Sequence, residues 1–204
     1  RLAMSDKMRI KIFSCIMLTL FFLCACRAQS VYAKEKITVG TNAEYAPFEY
    51  LDSDGNLTGF DYELLEAIAE EENLELEWKD MPFDSLVGSM ETGNIQIIAA
   101  AIGPTKEREK SVDFSEIYYT GSQSIVSSQK TPLYDFAELS GKRVAVLEGS
   151  QSDFIVSGED TDYGVVENAT VVRFKNAASA VMELKNGGVD AVLIDTIMAE
   201  IYCR

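Results

Sequence analysis

The sequence predicts an α/β protein built as two lobes, and three observations carry that prediction. Apolar residues recur at helical spacing over residues 61–72 and again over 176–185. Strand patterns stand between these stretches, by alternation over 74–78 and as an unbroken apolar run over 95–101. An extended segment, 122–128 (SQSIVSS), separates two halves with the same strand–helix order and suits a hinge strand. Strands alternating with helices imply parallel βαβ units.

The elements follow in order. Residues 36–40 (KITVG) read as a first strand. The turn cluster 52–56 (DSDGN), between EYL and LTGF, predicts a hairpin. It superficially resembles a calcium loop, but its glycine falls at the fourth place instead of the sixth, so no metal is expected there. Helix 61–72 carries Leu64, Leu65, Ile68 and Ala69 on one face and acids on the other. A second helix is expected over 83–91, closed by Gly93. The run 95–101 has the look of a strand buried on both faces. In the second half, strands are expected at 143–147, 170–174 and 189–194, with helices from Ser152, over 176–185 and from Thr196. No repeat strong enough to indicate duplication relates the halves.

Composition narrows the function. The chain has 204 residues, 47% hydrophobic and 25% charged, as a globular protein of one or two domains has. Its net charge is −15, yet residues 1–26 hold four basic residues and one acid, leaving 14 basic and 32 acidic residues beyond them. A surface that acidic repels phosphate backbones, which sets nucleic acid aside as a partner. There is no histidine, so the commonest general base and metal ligand is missing, and no cofactor or metal is expected. Cys15, Cys24, Cys26 and Cys203 form no CxxC pair and no disulfide framework.

The N-terminus reads as an export signal. Lys7, Arg9 and Lys11 precede a fourteen-residue uncharged apolar run, 12–25, which is short for a bilayer span and suits a signal-peptide core. Met4 or Met8 is the expected start of translation. The run ends in Leu23-Cys24-Ala25-Cys26, which resembles a lipobox. That resemblance implies a signal peptide over 1–26, lipidation of Cys26 and a linker over 27–36. Cleavage after Ala33, giving a secreted protein, and an uncleaved anchor are the alternatives.

Four segments in order, GTNAEYAPFEY, GFDYELLEAIAE, FDSLVGSMETGNIQIIAA and TKEREKSVDFSEIYY, occupy most of residues 40–119. Their order and spacing resemble the family-3 solute-binding proteins, the amino-acid receptors of bacterial ABC importers. The resemblance covers 36–204. It implies a periplasmic-binding-protein-like type II fold, with lobe one over 37–124 and lobe two, incomplete, over 125–204. It also implies that the last strand of lobe two, a return hinge crossing and a C-terminal piece follow Arg204.

A free amino acid offers a carboxylate, an ammonium and a side chain. A carboxylate suits a bidentate guanidinium and backbone N–H groups, and the side chain suits a mostly apolar pocket. Arg108, in the T-x-E-R signature Thr105-Lys106-Glu107-Arg108, is the carboxylate clamp that the resemblance implies. Asp195, at a strand's C-terminal end where α/β sheets bind ligands, is the implied ammonium partner; a helix N-cap is its other reading. Gly149-Ser150-Gln151 opens a helix whose N–H groups suit an anion, with Gln151 where the family often has threonine. Tyr45 and Phe83 match two aromatic plates, while Phe48 reads as core. Asn42 stands where an aspartate is frequent, which disfavours a strictly cationic ligand unless Glu44 or Asp84 compensates. Ala101 and Gly103 match positions where the family offers a backbone carbonyl and a small or hydroxyl residue, and Gly103 lacks the hydroxyl.

The expected function is that of an extracytoplasmic, lipid-anchored, monomeric receptor. It would bind a free polar amino acid and hand it to a membrane ABC permease, with no catalysis. A dehydratase-type enzyme on the same scaffold and the sensory module of a membrane receptor are the rivals.

Overall fold

The computed structural model describes residues 34–160 and 166–203. The signal read over 1–26, Cys26 and most of the linker lie outside the described residues. The described part is a mixed α/β fold organised around two main sheets, with a small third.

The first sheet has the order β5-β1-β6, all parallel. Strand β1 (Glu35–Thr41) pairs along its whole length with β5 (Leu74–Asp80), whereas β6 (Ile97–Ile98) meets only Val39 and Gly40. The expected strand over 95–101 therefore shrinks to two residues. Gln96 and Ala99 still donate to Thr38 and Gly40 carbonyls, but Ala101 turns the chain away with φ 46. Leu86 and Ile95 press on β1 so closely that a Cβ on Gly40 would stand 2.4 Å from the Ile95 side chain, which would have to shift to admit it. The small sheet β2-β3-β4 (Glu44–Tyr45, Glu49–Leu51, Leu57–Thr58) contains the expected hairpin. The Asp52 carboxylate closes its turn by accepting the N–H groups of Asp54 and Asn56, each at 2.9 Å.

Helix α1 (Phe60–Glu71) starts after Gly59, whose φ of 121 and contact with the Phe48 carbonyl admit no side chain. The expected helix over 83–91 divides into a 3-10 turn (Phe83–Ser85) after Pro82, followed by α2 (Leu86–Glu91).

The second sheet has the order β7-β10-β8-β9. Strands β8 (Arg143–Leu147), β9 (Thr170–Phe174) and β10 (Ala191–Asp195) run parallel, as the βαβ pattern requires. The segment read as a hinge is β7 (Gln123–Ser127), an edge strand that pairs antiparallel with β10. Alternate residues serve opposite faces. Ala145, Val192 and Ile194 pack under α4 (Ala177–Asn186) and α5 (Thr196–Tyr202). Val144, Val146 and Leu193 pack with Ile155 and Val156 of α3 (Gln151–Ser157). These side chains are almost wholly buried, the valines, leucine and isoleucines each contributing roughly 1.5–3 kcal/mol. Helix α4 carries both expected signals, an Asn176 N-cap accepting from the Ser179 N–H and a left-handed Gly187 after its end. No helix among the described residues is long and apolar enough to cross a membrane.

Candidate functional site

The C-terminal ends of β1 and β10, the stretch 99–108 and the turn before α3 converge on a cavity of about 60 Å³. All nine residues singled out for ligand contact line it, and so does Glu49, which was not singled out.

Arg108 begins a 3-10 turn (Arg108–Lys110), its N–H bound at 3.2 Å to the Thr105 hydroxyl. The side chain is only 6% exposed. One Nη donates to the Gly103 carbonyl at 2.7 Å and the other to the Gly149 carbonyl at 2.8 Å. The guanidinium also lies over the Phe83 and Phe154 rings, at 5.4 and 5.6 Å from their centroids. Arg108 thus bridges the two halves of the chain. Burial brings it down to about 10, with the Asp195 charge opposing, so it stays cationic at neutral pH.

Asp195 ends β10 and occupies the N-cap position of α5, yet its side chain makes no capping bond. Its oxygens instead accept from the Tyr45 hydroxyl and the Gln123 amide. The Ser152 hydroxyl donates to Gln123 Oε1 at 2.6 Å and so fixes that amide. Burial pushes the Asp195 carboxyl up; Tyr45, Gln123 and the Arg108 charge pull against it. The Tyr45 hydroxyl is in turn raised by burial and by Asp195. A buried cation and a half-buried acid from opposite halves therefore share one cavity.

The remaining predicted residues surround this pair. Asn42 donates to the Met81 carbonyl at 3.1 Å. The Ala101 N–H is held by Asp61 Oδ2 at 2.7 Å, which secures its left-handed backbone. Gly103 contributes a carbonyl to Arg108 in place of the side-chain hydroxyl it lacks. The Ser150 side chain caps α3, and the Gly149 N–H donates to Asp153 at 3.1 Å. The Ser150 N–H goes to the Leu147 carbonyl, so an anion here would have to displace existing bonds. Gln151 reaches Asp160 at 3.4 Å. Phe48 is core, 4% exposed and stacked on Tyr45.

Neither acid put forward to compensate for Asn42 stands free in the cavity. Glu44 is exposed on β2, and Asp84 is paired at 2.7 Å with Lys175, which also meets Glu148 at 2.9 Å. Sequence reasoning missed Gln123, Phe154 and Glu49. Nothing in the segment SQSIVSS marks Gln123 as the residue that orients Asp195. Glu49 carries a signal, an acid inside the apolar run PFEYL. It is 1% exposed and its Oε2 has no hydrogen-bond partner. Burial, then the Asp61 charge, pushes it up to about 10. Asp61 is also raised by burial, but the Ala101 N–H and the Tyr118 hydroxyl favour its charged form.

The profile of the bacterial extracellular solute-binding proteins, family 3, matches residues 37–204. The arginine-binding extracellular protein ArtP of Bacillus subtilis is 35% identical over 187 residues, covering 90% of this chain and 71% of that protein. A probable histidine-binding protein of Neisseria gonorrhoeae is also 35% identical, over 81% of this chain and 61% of its own length. The chain thus spans between about three-fifths and seven-tenths of these relatives. Among solved structures, an ancestral arginine-binding protein bound to arginine superposes with a TM-score of 0.75 at 36% identity, over 83% of this chain and 74% of that one. A periplasmic-binding-protein-like type II fold accounts for the two sheets and the cavity between them. The chain belongs to the bacterial extracellular solute-binding proteins of family 3.

Proposed function

We propose that this protein is an extracytoplasmic receptor that binds a free amino acid between two lobes, 37–124 and 125–204, and presents it to an ABC permease. One observation carries the reading: a buried Arg108 and a half-buried Asp195, a base and an acid, face one cavity from the two halves. The two Nη groups that a ligand carboxylate would take now donate to the Gly103 and Gly149 carbonyls. On ligand entry the guanidinium exchanges one or both for the α-carboxylate. Asp195 takes the ammonium, and Tyr45 and Phe83 flank the side chain. Asn42, Ala101, Gly103, Ser150 and Gln151 complete the wall. Entry requires the halves to separate, a hinge motion of the kind that binding proteins use.

The relatives are named as binding proteins, which supports a receptor over a dehydratase. Export follows from the family, and lipidation of Cys26 is our proposal for how the protein stays at the membrane as a monomer. Isothermal titration of wild type and Arg108→Ala against amino acids tests the site. Loss of one charge-assisted pair predicts an affinity drop of about 100-fold or more. Unchanged affinity in a folded variant removes Arg108 from the site.

A further inference from the structure

Phe154 stands outside both the ligand cavity and the packed cores. It does not line the cavity that Arg108 and Asp195 face, and it joins neither apolar cluster of the second sheet. Its neighbours Ile155 and Val156 do join one, and they anchor α3 to that sheet. The helix is held at both ends, by the Ser150 side chain accepting from the Asp153 N–H and by left-handed Gly158. Successive helical residues point about 100° apart, so an anchor through Ile155 and Val156 leaves the Phe154 ring free to serve another partner.

That partner is Arg108. Its guanidinium carbon lies over the Phe154 ring, 5.6 Å from the centroid, and over the Phe83 ring of the first half at 5.4 Å. Rings pack on guanidinium faces, whereas the N–H donors lie in the guanidinium plane. The Nη groups use that plane to reach the Gly103 and Gly149 carbonyls. A ring from each half thus sets the plane of the fork. Phe83, Arg108, Gly149 and Phe154 also line a second cleft, of about 290 Å³. Phe83 and Arg108 line the ligand cavity as well, so these side chains form the wall between cavity and cleft. The halves meet closely at this wall: a Cβ on Gly149 would stand 3.4 Å from the Cα of Asp84, the residue after Phe83.

We propose that Phe154 is a positioning residue of the carboxylate clamp: as the halves close, its ring covers Arg108 and holds the guanidinium fork toward the α-carboxylate. The inference rests on the receptor reading above. Phe154 does not touch the ligand and acts through Arg108. With the halves apart, Arg108 keeps Phe83 and loses Phe154, and its fork is free to turn. Closure brings the second ring against a guanidinium that is only 6% exposed, where a cation–ring contact is strongest. Two parallel bonds to a carboxylate need a fork of fixed plane. A neutral α-amide has one acceptor oxygen and turns its own N–H donors on the fork, so it gains little from that alignment. A ring that merely filled the seam would help both ligands equally.

The experiment is calorimetric titration of wild type, Phe154→Leu and Phe154→Tyr with an amino acid and its α-amide. L-arginine and L-argininamide are the first pair; another of the twenty amino acids and its amide replace them only if wild type does not bind arginine. Wild type should favour the carboxylate form by about 100-fold, as two charge-assisted bonds imply. Phe154→Leu keeps apolar bulk and removes the ring. It should weaken the amino acid about 10- to 30-fold, the size of a desolvated cation–ring contact, and the amide far less. Phe154→Tyr keeps the ring and should restore the wild-type preference. Equal losses for acid and amide in Phe154→Leu overturn the proposal, as does an unchanged affinity for the amino acid or a tyrosine variant as weak as the leucine one. These results leave the receptor reading standing. If none of the twenty amino acids binds wild type, the receptor reading fails and this proposal with it. Phe154→Met makes the same ring deletion if the leucine variant does not fold.

Discussion

Replacing Glu49 with glutamine should change how stability depends on pH, and the sign can be worked from the structure. Glu49 is 1% exposed, and its folded-state value is raised from 4.5 to about 10 by burial and by Asp61. Between those limits the native state binds one more proton than the unfolded state. Stability is then greatest below about 4.5 and falls as pH rises toward 10. One proton corresponds to roughly 1.4 kcal/mol per pH unit. From pH 6 to pH 8 Glu49 therefore removes about 2.7 kcal/mol that Glu49→Gln retains. At about 2–4 °C per kcal/mol, that is a difference of roughly 5–11 °C in melting temperature. Asp61 remains in both proteins, so its own contribution largely cancels in the comparison. The assay is thermal melting of both proteins at pH 6, 7 and 8 without ligand. Variant and wild type should separate as pH rises, the variant melting higher. Parallel curves refute a protonated, buried Glu49.

Three further outcomes are expected. Leu193→Ala, in a sheet covered on both faces, should destabilise by about 2–5 kcal/mol in urea unfolding, and a loss under 1 kcal/mol contradicts the packing described. Asp153→Ala should lower stability by about 1–3 kcal/mol, since it strips a buried acceptor from the Gly149 N–H and from Arg173; an unchanged midpoint contradicts this. Lys175→Ala severs one pair across the halves, to Asp84, and one within its own half, to Glu148, so any weakening of ligand binding should be small and vanish at high salt. A large, salt-independent loss of affinity means that Lys175 acts at the ligand itself.

How far the fold could be read from the sequence depended on whether neighbouring residues in the chain decide the structure. Strands β8 and β10 are short apolar runs buried by helices on both sides, and the run alone marks them. Helix α4 announces both its ends through Asn176 and Gly187. The run 95–101 misled because apolar content does not report pairing: β1 offers β6 only two partners, and Ala101 then turns. The segment 122–128 was extended as expected, but which strand it joins depends on β10, some seventy residues away.

The site divides in the same way. Arg108, Asp195 and Tyr45 sit in motifs whose order along the chain is informative, and the structure brings all three to one cavity. Gln123 is invisible in sequence because its role exists only through its long-range contacts with Asp195 and Ser152. Glu49 was passed over because a three-residue strand fixes no face by its pattern. Only the hairpin register, which sets it opposite Tyr45, turns it inward.

The central claim is that this cavity holds a free amino acid. Thermal melting of the protein with each of the twenty amino acids tests it most directly, since a ligand that binds only the native state must raise the transition. The account predicts that one amino acid or a small set raises it. At a hundred times the dissociation constant the gain is about 2.7 kcal/mol, or roughly 5–11 °C. A cooperative transition that none of the twenty moves would contradict it.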